Sequence, residues 1–401
     1  MIYVGIDLHS EQMTVSVRNE GGDVVLRRQV STRPAKVEEF LSQLHRMEEQ
    51  YVVILEVCGF HDWLVKRLRQ DPRCKDVVLI QPEQPSKQKT DRRDANRLGE
   101  LLWINRQRLL AGERVNGLRR VYEPTDDERQ DRQITSVRQR LGRQRTRTIN
   151  QSRVILRRNN LEWARPTKGF QTKKVKGWLK TLPLDQTDRL EMDQLLQQWE
   201  MWDRQIEQAE QRIEERFQKN PMAQILATII GVSCYTALAI ASRIGKIERF
   251  VHARSLANFF GIVPGSRSSG KRARPGSITK LGSQMVRFLL GQLAAHVLRK
   301  DAKLRAWYRQ IKRRRGSKIA RVAVMRRLTV IMWRMLAKHE AYRYEGVTEP
   351  RRPGVSSPHE ACQMPDRETI LAAYPSLAAA AARSAGSTGS KEVGSTSPKQ
   401  T

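Results

Sequence analysis

The sequence predicts an α/β domain with a mixed β-sheet at the N-terminus, then long helices, then a second and mostly α-helical domain. Three observations predict this order. Short β-branched runs alternate with helical segments over about the first hundred residues, strand patterns are absent from residues 124–218, and apolar residues at helical spacing return after residue 225. A chain of 401 residues is long enough for two or three domains with their own cores.

The first three predicted strands are β-branched segments separated by short polar turns. They cover residues 2–7, 13–19 and 24–31, and Gly21 and Gly22 stand in the second turn. Because such turns join strands that run in opposite directions, we expect these strands to be consecutive and antiparallel.

Helices and strands alternate in the rest of this region. Helices are expected at residues 35–46 and 63–69, and strands at residues 51–57, a continuous apolar run, and 76–81. Pro82 and Pro85 then break the chain before a helix that begins near Thr90. The succession of three strands, helix, strand, helix, strand and helix predicts a ribonuclease-H-like domain over residues 1–122.

Four carboxylates occur where this fold would bring them together. Asp7 closes the first strand, and Glu56 stands near the end of the fourth, which is its neighbour in a ribonuclease-H-like sheet. Asp91 and Asp94 share one face of the helix that would pack against that edge. Crowded carboxylates repel one another unless cations lie between them, and Mg²⁺ or Mn²⁺ suits such ligands. We therefore predict a metal-dependent site for phosphodiester chemistry.

Each acid also has an ordinary structural interpretation. Asp7 can be a turn residue, Glu56 the buried partner of an arginine, and the pair on the helix a cap that complements the helix dipole. Their joint occurrence on matching elements favours the metal site. His9 and His61 are close to two of the acids in sequence, but imidazole is not a preferred ligand of Mg²⁺.

The chain carries a formal net charge of +32, which predicts a polyanionic partner and above all nucleic acid. Residues 249–339 contain 23 lysines and arginines but one acid, Asp301, so phosphate contacts are expected there. The residues predicted to bind nucleic acid are Lys89, Arg92, Arg93, Lys271, Arg272, Arg274 and Lys280.

The remaining regions are mainly helical. Residues 123–220 have apolar residues at helical spacing amid charges, which predicts paired helices in a coiled coil, interrupted at residues 163–183. In the C-terminal domain, residues 221–345, the segment 226–245 is typical of a helix-hairpin-helix that offers backbone N–H groups to phosphates. Residues 346–401 are rich in Ser, Pro, Ala and Gly, and we expect them to be disordered.

No segment approaches the roughly 18 apolar residues of a membrane-spanning helix, and the N-terminus does not read as a signal peptide. We expect a cytoplasmic protein associated with the nucleoid. Cys58, Cys74, Cys234 and Cys362 form no Cys-x-x-Cys pair, so neither a disulfide framework nor a zinc knuckle is indicated, and reduced thiols are expected.

Two sets of motifs resemble a known family. GIDLH around Asp7, LEVCG around Glu56 and KTDRRDA around Asp91 and Asp94 are similar to the DEDD motif of insertion-sequence transposases of the IS110 family. The C-terminal domain resembles the family's second transposase domain in the residues of its motifs and in their order. The segments that carry this resemblance are IIGVSCYTALAIASRIGKIERFVHARSLANFFGIVPGSRSSG and then GSITKLGSQMVRFLL. The resemblance covers about residues 1–340.

The resemblance implies a DNA transposase or recombinase that forms a serine-linked DNA intermediate. The family's pattern of a proline followed five residues later by Ser-Gly places the nucleophile at Ser269, with Ser268 adjacent and Ser266 a weaker candidate. No carboxylate or histidine nearby in sequence could activate a serine, so the metal-loaded acids are expected to do so in a composite site.

The resemblance also implies a structured bridge RNA that selects DNA by base pairing, and a homo-oligomer, dimer or tetramer, assembled through the coiled coil. Two alternatives remain. One is a junction-resolving endonuclease that uses the four acids for hydrolysis, with Ser269 uninvolved. The other is a nucleic-acid-binding protein without catalysis, in which the acids are caps and ion-pair partners.

Overall fold

The computed structural model describes residues 1–47, 50–81, 91–113, 115, 118–269 and 272–342, without the side chains of residues 91–93, 266–269 and 272–275. The chain forms two compact units, Met1–Glu123 and Pro124–Thr401. Lys89, Lys271 and the segment 346–401 predicted to be disordered lie outside the described residues.

The N-terminal unit is a mixed α/β domain. Its strands are β1 (Ile2–Leu8), β2 (Gln12–Arg18), β3 (Val24–Ser31), β4 (Tyr51–Glu56) and β5 (Cys74–Ile80), and its helices are α1 (Pro34–Arg46), α2 (Asp62–Arg69), α3 (Asp91–Ile104) and α4 (Arg106–Leu110). The predicted succession of strands and helices is confirmed, and α4 is an element that the sequence pattern did not indicate.

The five strands form one sheet in the order β3-β2-β1-β4-β5. β1 pairs antiparallel with β2, which pairs antiparallel with β3, as the short turns predict. On its other side β1 pairs parallel with β4, and β4 pairs parallel with β5. The two parallel pairs need crossover connections, which contain α1 and α2.

Both faces of the sheet are buried because successive side chains of a strand point to opposite faces. Val4 and Ile6 of β1 pack into a core with residues of α1 and α2. Tyr3 of β1 belongs to a second core with Leu98 and Leu102 of α3. α3 therefore covers one face alone, and the ends of β1 and β4 on that face lie beneath it.

The outer edge of β5 is also paired. The backbone N–H of Gln81 donates to the carbonyl oxygen of Arg119 at 2.9 Å, and that of Val121 donates to the carbonyl oxygen of Leu79 at 2.7 Å. An exposed strand edge invites pairing with other chains, so this short segment protects the sheet from aggregation.

The second unit begins with two long helices. α5 (Asp126–Arg158) and α7 (Gln186–Gln218) have 33 residues each, and a 3-10 turn (Glu162–Ala164) and α6 (Lys173–Lys180) lie between them. A capping box of Thr125 and Glu128 begins α5, and Asp185 caps α7. The predicted pair of helices and its interruption are confirmed.

α5 and α7 pack antiparallel, as their ion pairs show. Arg138 contacts Glu210 at 2.6 Å and Arg145 contacts Asp203 at 3.0 Å, while Arg158 pairs with Asp188. Residue numbers rise on one helix as they fall on the other, so the helices run in opposite directions. The coiled-coil supercoil expected for them stays a prediction.

The rest of the second unit is mostly helical. It contains α8 (Pro221–Ala227), α9 (Cys234–Ile244), a 3-10 turn (Ile247–Arg249), α10 (Ala253–Phe259), α11 (Gln284–Lys300) and α12 (Ala302–Lys338), with a two-stranded ribbon of β6 (Pro264–Ser269) and β7 (Arg272–Ile278). α8 and α9 flank Gly231, whose φ of +85° favours glycine. Of the predicted segment 226–245, α9 is helical, whereas α8 ends at Ala227, so the first helix lies mainly before the predicted bounds. The helix-hairpin-helix and its phosphate-binding role stay a prediction.

Two further expectations concern cysteines and membranes. Cys58 and Cys74 have free thiols. Across the described ranges, no helix is both long and apolar enough to span a bilayer.

Candidate functional site

Asp7 and Glu56 stand at the ends of two adjacent parallel strands. In the pairing of β1 with β4, Ile6 lies opposite Leu55, so Asp7 and Glu56 are the next two positions in register. Both positions alternate with residues of the α1 and α2 core, so both belong to the face that α3 covers. Two acids separated by about fifty positions in sequence therefore come to one edge of the sheet.

The position of α3 over this edge depends on Gly5. A Cβ built on Gly5 would stand 2.8 Å from the Cα of Gly99 and would overlap the carbonyl oxygen of Ala95. Only a residue without a side chain lets strand and helix backbones approach so closely. Because Asp94 precedes Ala95, this contact brings the first turns of α3 to the end of β1.

Asp94 and Glu56 line the same pocket between α3 and the ends of β4 and β5. The pocket has a polar part, formed by Glu56, Gln81, Asp94 and Arg97, and an apolar part, formed by Ile80, Leu98, Leu101 and Leu118. The structure thus brings together two of the four predicted acids. The carboxylates share the pocket with Arg97, a cation that can balance part of their charge or contact a phosphate.

Asp7 has a histidine beside it. The Nε2 atom of His9 lies 3.1 Å from Oδ2 of Asp7. Thr14 is the residue opposite Asp7 in β2, and its buried Oγ1 has no hydrogen-bond partner among the described residues. His61 instead contacts the carbonyl oxygen of Cys58 at 2.5 Å.

The donor chemistry of the site fits a hard divalent cation, because Asp7, Glu56 and Asp94 all offer carboxylate oxygens on one face of the domain. Within the described residues, no three His, Cys, Asp or Glu side chains form a group that could hold a metal ion. That search leaves out the side chain of Asp91, which belongs to the first turn of α3, one turn before Asp94. The set of four metal ligands therefore stays a prediction.

The predicted nucleophile lies in the ribbon of β6 and β7. Ser269 ends β6 and is opposite Arg272, and Arg267 is opposite Arg274. Ser268 is opposite Ala273, and Ser266 is opposite Pro275. Residues two apart in a strand share a face, so the register places Ser269 at a position on the same face as those of the three arginines.

Sequence reasoning missed this ribbon. The segments PGSRSS and RARPGSI contain one β-branched residue between them, so neither has the composition typical of a strand. A signal did exist, because two segments of similar length are joined by a Gly-Lys pair, and short glycine-containing connections are common in hairpins.

The residues predicted to bind nucleic acid fall into three places. Arg92 and Arg93 follow Asp91 in the first turn of α3, and Arg272 and Arg274 belong to β7. Lys280 follows β7, is exposed and has a φ of +56°. The list omitted the cations of α12, which the structure exposes in a group.

Comparison with known proteins agrees with this arrangement of elements. A family model described as a transposase, of the IS110 type with the DEDD motif, matches residues 4–160, and a model described as the IS116/IS110/IS902 transposase family matches residues 223–309. The first match contains β1 from Val4 onward, the other four strands and α3 of the N-terminal unit, and the second contains the ribbon with Ser269.

Whole transposases are similar to the chain as well. The transposase for insertion sequence element IS1111A of Coxiella burnetii is 27% identical over 85% of this chain and 91% of its own length. A probable family 20 transposase of Pseudomonas aeruginosa is 26% identical over 85% and 98%, and the transposase for IS1328 of Yersinia enterocolitica is 23% identical over 82% and 95%. The chain therefore belongs to the IS110/IS116/IS902 family of transposases.

Proposed function

We propose that this protein mobilises an insertion sequence by cutting and rejoining DNA, with the acids of its N-terminal unit as a metal-dependent active site. One observation carries the proposal. Glu56 and Asp94 line one pocket, and Asp7 is next to Glu56 in register at the same edge of the sheet. Carboxylates from two strands and a helix at one edge of the sheet support a metal site, because crowded acids repel one another unless a cation lies between them.

The sheet supports a ribonuclease-H-like assignment of this unit. The order of the motifs predicts three antiparallel strands followed by two parallel ones. It also predicts that the helix after β5 lies over the ends of β1 and β4, and the sheet has this arrangement. In that assignment Asp7, Glu56, Asp91 and Asp94 hold Mg²⁺ or Mn²⁺. When bound, the metal activates the attacking oxygen and stabilises the leaving oxygen of a phosphodiester.

Ser269 is the proposed nucleophile. Its Oγ loses a proton and bonds to phosphorus, the bond from phosphorus to the leaving sugar oxygen breaks, and that oxygen takes a proton. The phosphoserine retains the energy of the broken bond for rejoining, which hydrolysis would lose. The arginines at positions 267, 272 and 274 support this role, because cations at those register positions can hold the phosphates beside the attacked one.

A structured guide RNA is part of the proposal. The net charge of +32 is sufficient for a protein that holds RNA and DNA together. In such an assembly the paired bases read sequence while the protein holds the backbone. We expect RNA to copurify with the full chain. Removing this RNA should abolish the selection of DNA sites and leave metal binding intact.

A homo-oligomer is proposed through the far end of the α5 and α7 pair. Val154, Trp163 and Leu190 are all more than half exposed. The antiparallel packing brings them to the same end of the pair, where Arg158 contacts Glu191 at 3.1 Å. Exposed apolar residues grouped in this way are typical of a protein–protein contact. Sedimentation of the full chain should give a dimer or tetramer that Trp163→Glu disrupts.

The acids are tested by DNA cleavage in Mg²⁺ or Mn²⁺. Asp94→Asn should lower the rate at least about 100-fold, since it removes several kcal/mol of transition-state stabilisation. Glu100→Gln is the matched control, because Glu100 is on the same helix but contacts Arg18 at 3.8 Å instead of the pocket. If the wild type shows no metal-dependent cleavage and Asp7→Ala changes nothing beyond stability, a nucleic-acid-binding protein without catalysis remains. If cleavage survives Asp7→Ala unchanged, Asp7 is not part of the active site.

The serine is tested by trapping DNA on the protein under denaturing conditions. Wild-type protein and Ser268→Ala should yield protein-linked DNA, and Ser269→Ala should yield none. If Ser269→Ala exchanges strands at full rate and the wild type yields no linked DNA, the serine mechanism is wrong. Metal-dependent hydrolysis that Ser269→Ala leaves unchanged, with no strand exchange by the wild type, would favour the junction-resolving endonuclease.

A further inference from the structure

α12 is bent into a hairpin. Gly316 has φ +82° and ψ 166°, which divides the element into helical segments 302–315 and 317–338. The guanidinium of Arg327 lies 4.9 Å from the ring centre of Trp307. These residues are twenty positions apart and would be separated by about 30 Å in a continuous helix. The second segment therefore folds back along the first, with Gly316 at the tip.

The tip of this hairpin projects from the core. Leu304 of the first segment and Val324 and Leu328 of the second are buried in one apolar cluster. Every residue in the range 312–319 is exposed, and a Cβ built on Gly316 would meet nothing within 4 Å. The segments thus anchor a tip that is surrounded by open space.

The tip carries five cations in seven residues, which are Lys312, Arg313, Arg314, Arg315 and Lys318. α12 contains no aspartate or glutamate. Within the part of the chain that the structure describes, no ion pair joins any of the five to a carboxylate. Like charges at this spacing repel one another and destabilise a helix, so the cluster has a cost that a bound polyanion would remove.

We propose that the α12 tip binds the phosphate backbone of duplex DNA. Single-strand binding surfaces use aromatic side chains on which bases stack, and the range 312–319 contains none. It also lacks asparagine and glutamine, which read adenine, and its arginines can contact guanine as well as phosphate. A projecting tip with five cations fits the dense phosphates of a duplex, and these backbone contacts would hold it without regard to sequence.

This inference deepens the proposed function, since it names a surface by which a transposase would hold its DNA, but its test needs no catalysis. The full chain is titrated with a fluorescent DNA duplex in EDTA over a range of salt concentrations. Each phosphate contact adds about 0.9 to the slope of log K against log salt. Arg313→Gln/Arg314→Gln/Arg315→Gln should reduce the slope by two to three units and weaken binding about 100-fold near 0.15 M salt.

A control with the same loss of charge is available elsewhere on the surface. Lys36, Lys180 and Arg212 are more than half exposed, and each is paired with a glutamate at 2.8, 3.1 and 2.5 Å. Lys36→Gln/Lys180→Gln/Arg212→Gln should change the slope by less than about one unit. Replacing the three tip arginines with lysine should preserve binding, which separates loss of charge from loss of fold.

Three outcomes would overturn the proposal. The tip glutamine variant could bind with the wild-type slope, or the control variant could lose as much affinity as the tip variant. The wild type could also prefer duplex RNA or single-stranded DNA of equal length, with that preference lost in the tip variant. Failure of cleavage in any variant bears on the proposed function alone, because binding in EDTA is measured without it.

Discussion

Gly5 of β1 and Gly99 of α3 lie in backbone contact, so closely that a Cβ on Gly5 would stand 2.8 Å from the Cα of Gly99. This contact determines the height of α3 above the sheet. It also determines how near Asp94 comes to the ends of β1 and β4. The geometry of the acids therefore depends on the absence of a side chain at Gly5, a residue that takes no part in chemistry.

Gly5→Ala should displace α3 and separate Asp94 from Glu56. The methyl group would overlap the carbonyl oxygen of Ala95, a backbone atom that cannot rotate away. Overpacking of this kind costs about 1–3 kcal/mol, and the shift of α3 should lower DNA cleavage by more than tenfold. A thermal melt and a cleavage assay on the full chain measure the two effects.

Gly99→Ala is the matched substitution on the other side of the same contact. A Cβ on Gly99 would meet the carbonyl oxygen of Ser16 at 3.4 Å and the nitrogen of Gly5 at 3.6 Å, which are ordinary contact distances. Alanine also favours a helix over glycine by about 1 kcal/mol. Stability and cleavage should stay near wild type, and a loss equal to that of Gly5→Ala would contradict this account of the contact.

Asp71 makes the N-terminal unit sensitive to acid. Its buried carboxylate accepts hydrogen bonds from the backbone N–H of Arg73 at 3.0 Å and from the hydroxyl of Tyr51 at 2.9 Å, and it contacts His45 at 2.6 Å. Burial alone would raise the pKa of Asp71, but these hydrogen bonds outweigh it and hold the pKa below the ordinary value of 3.8. The ionised form is thus favoured by folding.

A carboxyl whose folded pKa is lowered stabilises the protein above its unfolded pKa and loses that contribution as the pH falls through the folded pKa. The protection of β4 amides against hydrogen exchange, taken relative to the intrinsic rate at each pH, should therefore fall below about pH 4 in the wild type. Asp71→Asn should lower this protection already at pH 7, with little further decrease in acid. Unchanged protection at pH 7 would show that Asp71 does not stabilise β4.

Asp131 secures the start of α5 to the end of α7. Its buried carboxylate pairs with Arg216 and accepts from the amide of Asn220 at 3.1 Å. Asp131→Ala removes one of two carboxylate partners of the mostly buried guanidinium, which keeps Asp127 at 3.0 Å, and should cost about 1–3 kcal/mol in the free energy of unfolding. Urea denaturation measures the loss.

An exposed ion pair on α7, the helix that carries Arg216, is the control for Asp131. Arg212 and Glu215 are paired at 2.5 Å, and both are more than half exposed. Glu215→Ala should cost less than about 1 kcal/mol, because water screens exposed ion pairs. Equal losses in the two variants would mean that burial does not decide the strength of these pairs.

The N-terminal sheet could be predicted from sequence because its strands are β-branched and its turns are short. Strand order then followed from the succession of elements, and Asp7 and Glu56 came to one edge because β1 and β4 are parallel neighbours. The close approach of Gly5 to Gly99 could not be predicted, because it depends on a contact between residues far apart in sequence.

The second unit was less accessible to sequence reasoning. The ribbon that carries Ser269 has few β-branched residues, so its pairing comes from the connection and not from strand propensity. The bend of α12 depends on the single residue Gly316, since helical spacing continues on both sides of it. A lone glycine in a helical pattern is often tolerated without a bend, so the sequence alone cannot distinguish a bent helix from a straight one.

The central claim, that the acids at the ends of β1 and β4 and at the start of α3 hold divalent metal, is tested most directly by Mn²⁺ binding. The full chain is titrated with Mn²⁺ and followed by electron paramagnetic resonance, without DNA. The tight Mn²⁺ binding of the wild type should be abolished in the triple variant Asp7→Asn/Glu56→Gln/Asp94→Asn. Asp23→Asn/Glu100→Gln/Glu113→Gln, which removes equal charge from exposed sites of the same unit, should retain it. Equal Mn²⁺ affinity in the wild type and the first variant would contradict the account.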